Sequence, residues 1–216
     1  MANFGELKTR IANKLNRADL TSQIAAAINS TIEYFQPTHT WFNDATAAIT
    51  LTAGNPLVPN IPSDFLYQLE DDALVIQFAQ QNYILIKKSP VEFDCYNEQG
   101  SGIPFIYTNK NGNLYVYFLP DQAYTLNLYY VKSYPSLVAD ADSNDWTVNA
   151  PRLIEDKTIE DINRYQLKDF ERADNVRIDV EREMKVIMAR TAKRNATGNL
   201  LISNYVGGFY NDYYSG

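Results

Sequence analysis

The side chains that could carry out nucleophilic catalysis are scarce in this chain. The sequence contains one histidine, His39, and one cysteine, Cys95, which lies in a polar segment, and it has no G-x-S-x-G motif. A serine or cysteine nucleophile needs a neighbouring base, so any such arrangement would have to use His39. One histidine and one cysteine also do not make a zinc site of these ligand types without two carboxylates. We therefore interpret His39 as a structural residue that caps or packs beside Trp41.

One acidic segment resembles the beginning of a calcium-binding loop. Asp140, Asp142 and Asn144 have the alternating spacing of the first three ligands. However, Asp145 replaces the glycine that makes the sharp turn, and Pro151 stands at the position of the last, bidentate glutamate. The segment is better interpreted as a solvated acidic loop that precedes a helix.

A second acidic group consists of Glu70, Asp71 and Asp72. Two of these carboxyl groups could act as acid and base, although consecutive acidic residues more often mark a solvated turn between strands. The sequence also contains neither a G-x-x-x-x-G-K-[ST] phosphate loop nor a dinucleotide-binding motif. We therefore predict that the chain is not an enzyme, with no catalytic residue, no cofactor and no metal ligand.

Composition and charge limit the classes of partner. The 216 residues are 45% hydrophobic and 21% charged, which is ordinary for a globular protein of one or two compact units. Residues 21–150 contain 13 acidic and four basic residues, whereas residues 151–194 contain 10 and 11. An acidic surface repels phosphate, so tight binding of duplex DNA is not expected. The beginning of the chain lacks an apolar signal-peptide core, and no apolar run is long enough to cross a membrane, so we expect a protein that works in a reducing cytoplasm.

Periodicity at the N-terminus predicts two short helices. Asn3 and Glu6 have the spacing of a capping pair, so the first helix is expected over residues 4–17. Asp19 is the expected N-cap of the second helix, which should end before Pro37. The apolar stripes of this predicted hairpin are Leu7, Ile11 and Leu15 in the first helix and Ile24, Ile28, Ile32 and Phe35 in the second.

The hydrophobic period changes to two after Ala45, which indicates strands. Asn111 and Gly112 both tolerate positive φ and are a strong signal for a β-hairpin. Further along, alternate apolar positions predict one long strand with Tyr124, Leu126, Leu128 and Tyr130 on a single face. This part of the chain predicts an antiparallel β-sandwich or small barrel of about six to eight strands.

Long amphipathic helices are predicted for the C-terminal part of the chain. Pro151 suits the first position of a helix, and helical spacing continues for some forty residues, as one broken helix or two consecutive ones. The apolar stripe exceeds what the short N-terminal hairpin can cover, so we expect it to pack between subunits. The predicted subunit-interface residues are Val176, Val180, Met184, Ile187 and Met188.

The last residues of the chain have an unusual composition. Residues 196–216 contain four glycines, four tyrosines, Phe209 and a single charged residue, Asp212, without a helical or strand period. Such a segment is either a disordered, weakly adhesive tail or an aromatic arm that becomes ordered on a partner. We favour the arm, because tyrosine and phenylalanine supply contact area while glycine permits bends.

Four motifs in the middle of the chain resemble one known family. The pair Trp41 and Phe42 precedes a strand and is followed by IPSDFL at 61–66, GIPFIYTNKNGNLYVYFLPDQAYTLNLYY at 102–130 and WTVNAPRLIED at 146–156. In this order and at this spacing they resemble the head-to-tail adaptor proteins of tailed phages, relatives of the tail tubular protein A type. Many of these relatives have two tryptophans where this chain has Trp41 and Phe42.

The resemblance implies an α+β fold. Helices from both ends of the chain, residues 1–40 and 151–197, would form a helical bundle, with an inserted antiparallel β-sandwich or barrel at 41–150 and an extended arm at 198–216. The resemblance further implies that this arm docks onto the portal. The predicted docking residues are Leu200, Leu201, Tyr205, Phe209, Tyr210, Tyr213 and Tyr214.

The function implied by the resemblance is structural. The chain would be a subunit of a ring that joins the portal protein to the tail tube or nozzle protein in the virion neck. The family implies twelve copies in this ring. Such a ring would be assembled in the host cytoplasm, without a membrane, and duplex DNA would pass through it without tight binding. The alternative is a glycan- or receptor-binding β-module of a phage tail, whose tyrosines would stack on sugars, and the long C-terminal helices argue against it.

Overall fold

A computed structural model of the chain describes residues 2–69, 73–96 and 100–195. It is 44% helical and 24% strand, with antiparallel sheets, which confirms the predicted mixture of helices and antiparallel strands. The helices are α1 (Phe4–Leu15), α2 (Thr21–Phe35), α3 (Pro90–Asp94), α4 (Asp145–Asn149), α5 (Pro151–Asp161) and α6 (Phe170–Asn195). A 3-10 turn (Ala18–Leu20) precedes α2, and a π-helical segment (Ile162–Leu167) follows α5.

The first helix begins as predicted. The side-chain oxygen of Asn3 accepts a hydrogen bond of 2.8 Å from the backbone N–H of Glu6, which satisfies one of the amides that a helix leaves free at its start. The helix ends at Leu15, two residues earlier than predicted, because Asn16 adopts a left-handed conformation with φ of 54°.

Asp19 does not cap the second helix, so that prediction is wrong. Asp19 lies inside the 3-10 turn, where its carboxylate accepts hydrogen bonds of 2.8 and 2.7 Å from the guanidinium group of Arg17. No side chain caps α2, which instead continues directly from the turn. The helix ends at Phe35, before Pro37, as predicted.

The helices from the two ends of the chain share one hydrophobic core. The stripes predicted for α1 and α2 are buried there together with apolar residues of α5 and α6. A charged contact joins α1 to α5, since the buried carboxylate of Glu155 lies 3.0 Å from the guanidinium group of Arg10 and 2.9 Å from the ammonium group of Lys14. Both partners remain partly exposed, so the charge of Glu155 is paired without burying all three groups.

The long C-terminal stretch is two helices with a sharp break between them. Pro151 occupies the first turn of α5, as predicted. The π-helical segment then ends at Lys168, which has a left-handed conformation with φ of 59°, and its backbone N–H donates to the carbonyl of Asn163. This reversal allows α6 to pack back against α5.

Ten strands occur in the described residues, and seven of them are at least four residues long. They are β1 (Asp44–Thr50), β2 (Phe65–Gln68), β3 (Leu74–Phe78), β4 (Gln81–Ile84), β5 (Ile86–Lys87), β6 (Ser101–Gly102), β7 (Ile106–Lys110), β8 (Asn113–Tyr117), β9 (Leu119–Pro120) and β10 (Thr125–Lys132). The largest sheet has the order β1-β10-β3-β4, and β2 also pairs with β10. All pairs in this sheet are antiparallel.

The smaller sheets are formed by β5-β7-β8 and by β6-β9. The predicted hairpin turn at Asn111 and Gly112 joins β7 to β8, and both residues have positive φ, 52° and 80°. The pairs β5-β7 and β6-β9 are parallel and only two residues long.

The large sheet has one buried face and one exposed face. The alternation predicted for β10 is confirmed, because Tyr124, Leu126, Leu128 and Tyr130 are all buried in a second hydrophobic core formed by the strands. On the opposite face, the register places one residue from each strand in a row across the sheet. This row is Ala48, Asn127, Val75 and Ile84.

Two segments connect the helical core to the strand core, and they lie side by side. The backbone N–H of Lys132 donates to the carbonyl of Asn43, and the N–H of Tyr134 donates to the side-chain oxygen of Gln36. The Tyr134 hydroxyl also lies 3.1 Å from the carbonyl oxygen of Phe42. The chain therefore enters and leaves the strand core at neighbouring points.

Candidate functional site

His39 has a structural partner in the same chain. Its Nε2 atom lies 2.8 Å from Oδ1 of Asp44, at the start of β1. Burial raises the pKa of the Asp44 carboxyl group, and the neighbouring His39 partly offsets this effect. The pair lies beside the segment that connects α2 to β1, which fits the prediction of a structural role for His39.

The acidic loop that resembled a calcium site fastens the beginning of α1. The carboxylate of Asp142 accepts hydrogen bonds of 2.8 and 2.7 Å from the backbone N–H groups of Val138 and Ala139, which lower its pKa. The backbone carbonyl of Asp142 accepts from the N–H of Phe4 at 2.8 Å. Asn144 caps α4 through Thr147. The Oδ2 atom of Asp142 and the side-chain oxygen of Asn144 therefore accept hydrogen bonds from the protein's own backbone.

The remaining chemical candidates are Cys95 and the acidic side chains. Cys95 is exposed, and its Sγ atom contacts the carbonyl oxygen of Val91 at 3.3 Å. Among residues 2–69, 73–96 and 100–195, no group of three histidine, cysteine or acidic side chains is arranged to hold a metal ion. Glu70, Asp71 and Asp72 lie outside the described residues.

Four aromatic rings form a continuous contact in the helical core, where the chain passes from α2 to β1. Trp146 is fully buried, with ring centroids 4.8 Å from Phe42 and 6.0 Å from Phe35. Phe42 in turn meets Trp41 edge to face at 4.9 Å. The aromatic pair and the tryptophan of two separate sequence motifs thus pack against the end of α2.

The exposed end of this aromatic contact meets the last turns of α6. The backbone N–H of Trp41 lies 3.3 Å from Oγ1 of Thr191, and the guanidinium group of Arg194 lies over the Trp41 ring at 5.1 Å. Sequence reasoning missed this contact. Thr191 follows Ile187 at the four-residue spacing of the apolar stripe, and that periodicity was the available signal.

The five residues that the sequence predicts for the subunit interface differ in their burial. Val180 and Ile187 are buried in the helical core of their own chain, and Val176 and Met184 pack against that core. Met188 is 43% exposed. The stripe on α6 is therefore covered largely by α5, whereas Met188 lies on the accessible side of the helix.

The accessible side of α6 carries further large apolar residues. Phe170, Ile178, Val186 and Met188 are all more than a third exposed, and Tyr165 is exposed in the preceding π-helical segment. They are distributed along a helix of 26 residues, which is about 39 Å long. These residues, which we call the α6 outer face, offer apolar area that the described residues do not cover.

A second exposed aromatic surface lies on the strand core. The Tyr117 ring contacts those of Phe93, Tyr96, Phe105 and Phe118, at centroid distances of 6.3, 5.3, 5.8 and 5.0 Å. Tyr96 and Phe105 are partly open to solvent. Both cores of the chain thus expose apolar area suitable for contact with another protein.

The predicted portal-docking residues lie outside the described part of the chain. All seven, from Leu200 to Tyr214, follow the end of α6 at Asn195. None of the described helices is both long and apolar enough to span a lipid bilayer.

The most prominent surface features of the described residues are these two exposed apolar surfaces, which are typical of a protein that binds other proteins. The family model described as SU10 adaptor protein matches residues 2–199. Because this match covers nearly the whole sequence, the chain belongs to the SU10 adaptor protein family, a family of structural phage proteins, and the resemblance to head-to-tail adaptors is confirmed. Membership makes the chain a virion component that interacts with other phage head and tail proteins. No curated protein matches the chain.

Proposed function

We propose that the chain is a subunit of an adaptor ring of twelve copies, which joins the portal to the tail tube or nozzle and lines the channel for DNA. The observation that carries this proposal is the family match over residues 2–199. The two exposed apolar surfaces, one on each core, support it, because a connector needs contacts with neighbours on more than one side.

We further propose that the chain has two domains, which contact different neighbours. Residues 1–40 and 151–197 would form one helical domain, because their helices share a core, and residues 41–150 would form an inserted β-sandwich or barrel. Two contacts link these ranges, the stacking of the Trp146 ring on Phe35 and the hydrogen bond from the Trp41 N–H to Thr191. The helical domain would face its neighbours and the portal, and the strand domain would approach the tail.

The proposed subunit contact uses the α6 outer face. Of the five residues that the sequence predicts for the subunit interface, the proposed contact keeps Met188. It adds Ile178 and Val186, because they are exposed on the same helix. Val180 and Ile187 are unsuitable for a test of assembly, since a charge there would disrupt the subunit's own core.

The aromatic arm at 198–216 is the proposed portal contact. Ordering its backbone costs about 1–2 kcal/mol per residue, so a groove on the partner would have to bury several of its rings. The arm begins three residues beyond α6, whose last turns are tied to Trp41. A fixed starting point reduces the volume that the arm must search for a neighbouring protein.

Deletion of residues 198–216 tests this function. We expect the truncated chain to unfold at nearly the same temperature as the full chain and to lose attachment to DNA-filled heads that carry the portal. Attachment would be measured by sedimentation and electron microscopy. A full-length control with Phe209, Tyr210, Tyr213 and Tyr214 changed to serine should also fail to attach, because it retains chain length but lacks the rings.

The subunit contact has its own matched variants. Ile178→Ser and Met188→Ser should reduce ring formation on portals, whereas Lys185→Ser, an exposed polar position on the same helix, should not. Normal attachment by the truncated chain would assign portal docking to the helices. Normal rings from the Ile178 and Met188 variants would place the subunit contact elsewhere.

A further inference from the structure

In the described part of the chain, the two edge strands of the large sheet have no strand paired to their outer sides, and they differ in this from the edges of the β5-β7-β8 sheet. β1 and β4 lie at opposite ends of the order β1-β10-β3-β4, and each pairs with one strand. Within the described residues, the outer side of neither strand makes a backbone hydrogen bond to another segment. Each edge therefore presents a row of backbone donors and acceptors.

The edges of the β5-β7-β8 sheet are protected against pairing. The outer side of β8 is covered by the segment around Pro56, since Val116 N–H donates to the carbonyl of Pro56 and Val58 N–H donates to that of Leu114. The opposite edge strand, β5, carries Lys87, and a charged edge residue discourages pairing. Both edges of the β5-β7-β8 sheet thus carry a feature that discourages pairing, whereas the outer sides of β1 and β4 in the large sheet are uncovered in the described ranges.

Residues 45–50 of β1 and the whole of β4 lack the features that usually prevent strand pairing. From Ala45 to Thr50, β1 contains only alanine, threonine and isoleucine, and β4 consists of Gln81, Asn82, Tyr83 and Ile84. Neither strand contains proline, and their pairings with β10 and β3 have a regular register without a bulge. Asp44, the first residue of β1, is paired with His39, and the uncharged remainder of β1 can meet β4 without charge repulsion.

We propose that β4 of one copy pairs with β1 of the next copy, so that the large sheet continues around the adaptor ring. This inference rests on the ring proposed above. Because every neighbouring pair in the order β1-β10-β3-β4 is antiparallel, β4 runs opposite to β1, and the added strand would pair antiparallel. The contact is head-to-tail, which is the type that closes into a ring.

Side-chain faces match in the same arrangement. If Ile84 lies opposite Ala48 of the next copy, Tyr83 lies opposite its Ile49, and the buried and exposed rows both continue. Ile84 is 58% exposed in the single chain and would gain a small apolar neighbour. Shifts of two residues preserve the faces, whereas a shift of one inverts them.

The dimensions are compatible with a connector. Four strands spaced at about 4.8 Å give the sheet of each copy a width of roughly 19 Å, measured across the strands. A closed ring of twelve copies would then have a circumference of roughly 230 Å and a diameter of roughly 73 Å. Such a ring leaves an open centre. The sheet continuation would act together with the α6 outer face, on the other core.

Disulfide trapping tests the pairing in assembled particles. In a Cys95→Ser background, Ala48→Cys with Ile84→Cys places two thiols three strands apart in one chain, at roughly 14 Å, which is too far for an internal disulfide. Paired strands of adjacent copies bring the Cα atoms to about 4.5–5.5 Å. We expect mild oxidation to give a ladder of covalent oligomers, and Thr46→Cys or Thr50→Cys in place of Ala48→Cys to report a register shift.

The control pair is Tyr129→Cys with Ile84→Cys, because Tyr129 lies on the same exposed face but in the central strand β10. It should remain monomeric. Rings visible in the necks without a ladder from any of the three β1 positions would overturn the pairing while leaving the adaptor function intact. Particles without this chain in the neck would contradict the function itself.

Lysine substitutions give an independent measurement. Ala48→Lys and Ile84→Lys each introduce the residue that natural edges use to prevent pairing, and each should reduce the number of particles with complete necks at least tenfold. Val91→Lys, at a highly exposed position of α3, should not. Thermal unfolding of the isolated variants verifies that their fold is retained. Normal necks from both edge variants would overturn the proposal.

Discussion

At the scale of single residues, Trp146 connects parts of the chain that are distant in sequence. It is fully buried between Phe35 at the end of α2 and Phe42 before β1. The motif that contains it was recognisable in the sequence, but its ring partners were not. Periodicity describes neighbours along one element, whereas these three rings come from two helices and a connecting segment.

Replacing Trp146 with alanine should therefore be costly. The change leaves a cavity among Phe35, Phe42 and the helical core, so we expect the free energy of unfolding to fall by about 3–5 kcal/mol. Chemical denaturation followed by circular dichroism would measure it. Tyr165→Ala, at an exposed position, serves as the control and should change stability by less than about 0.5 kcal/mol. Equal effects would argue against the aromatic contact as a centre of stability.

Tyr130 makes the stability of the strand core depend on alkaline pH. Burial, together with a hydrogen bond of 2.9 Å to the Asp64 carboxylate, raises the pKa of its hydroxyl group to about 12. The folded state holds this proton more tightly than the unfolded state, whose tyrosine pKa is about 10. The stabilising contribution is therefore complete below about pH 10 and is lost as the pH rises toward 12.

Tyr130→Phe should flatten this part of the pH profile. We expect the variant to be less stable by about 1 kcal/mol at neutral pH, because it lacks the hydrogen bond to Asp64. Between pH 9 and 11.5 its melting temperature should fall less than that of the unchanged chain. Tyr115→Phe, outside the strand core, is the control for general alkaline effects. Parallel profiles for the two variants would contradict the assignment.

At the scale of elements, the break between α5 and α6 depends on Lys168. No proline or glycine marks the break, which explains why the sequence could not decide between one broken helix and two. The left-handed φ of 59° at Lys168 is a conformation that a lysine adopts at a cost, and the packing of α6 against α5 supports it.

Lys168→Gly should consequently stabilise the protein. Glycine adopts positive φ without a steric penalty, so we expect a gain of about 0.5–1 kcal/mol in the free energy of unfolding. Lys168→Val should have the opposite sign, because a β-branched side chain is strained there. Denaturant unfolding of the three proteins would show the order. A valine variant as stable as the glycine variant would mean that the break is not held in this conformation.

Several elements could be predicted from the sequence because their signals are local. The stripes of α1 and α2, the Asn111–Gly112 turn, the proline at the start of α5 and the alternation in β10 all specify their structure within a few residues. The coverage of α6 could not be predicted in this way. Periodicity shows that Val180 and Ile187 need an apolar partner but does not identify α5 of the same chain as that partner.

At the scale of the whole molecule, the acidic charge should keep DNA mobile. The chain carries 26 acidic and 19 basic residues, and much of the basic charge is paired within the helices. We expect binding of duplex DNA no tighter than roughly 10⁻⁴ M at physiological salt. Fluorescence anisotropy with a labelled duplex would measure it. Micromolar binding with a steep salt dependence would contradict this prediction, and Arg190, Lys193 and Arg194 would then be the first residues to change.

The side-by-side connections between the two cores have a consequence for how such proteins diversify. Because the chain leaves the helices near Asn43 and returns near Lys132, with a hydrogen bond between these two residues, both ends of the strand core are attached at one place. Strands can be added, lost or exchanged there during evolution without displacing the helices. One set of helices can thus be combined with strand cores of different size and surface.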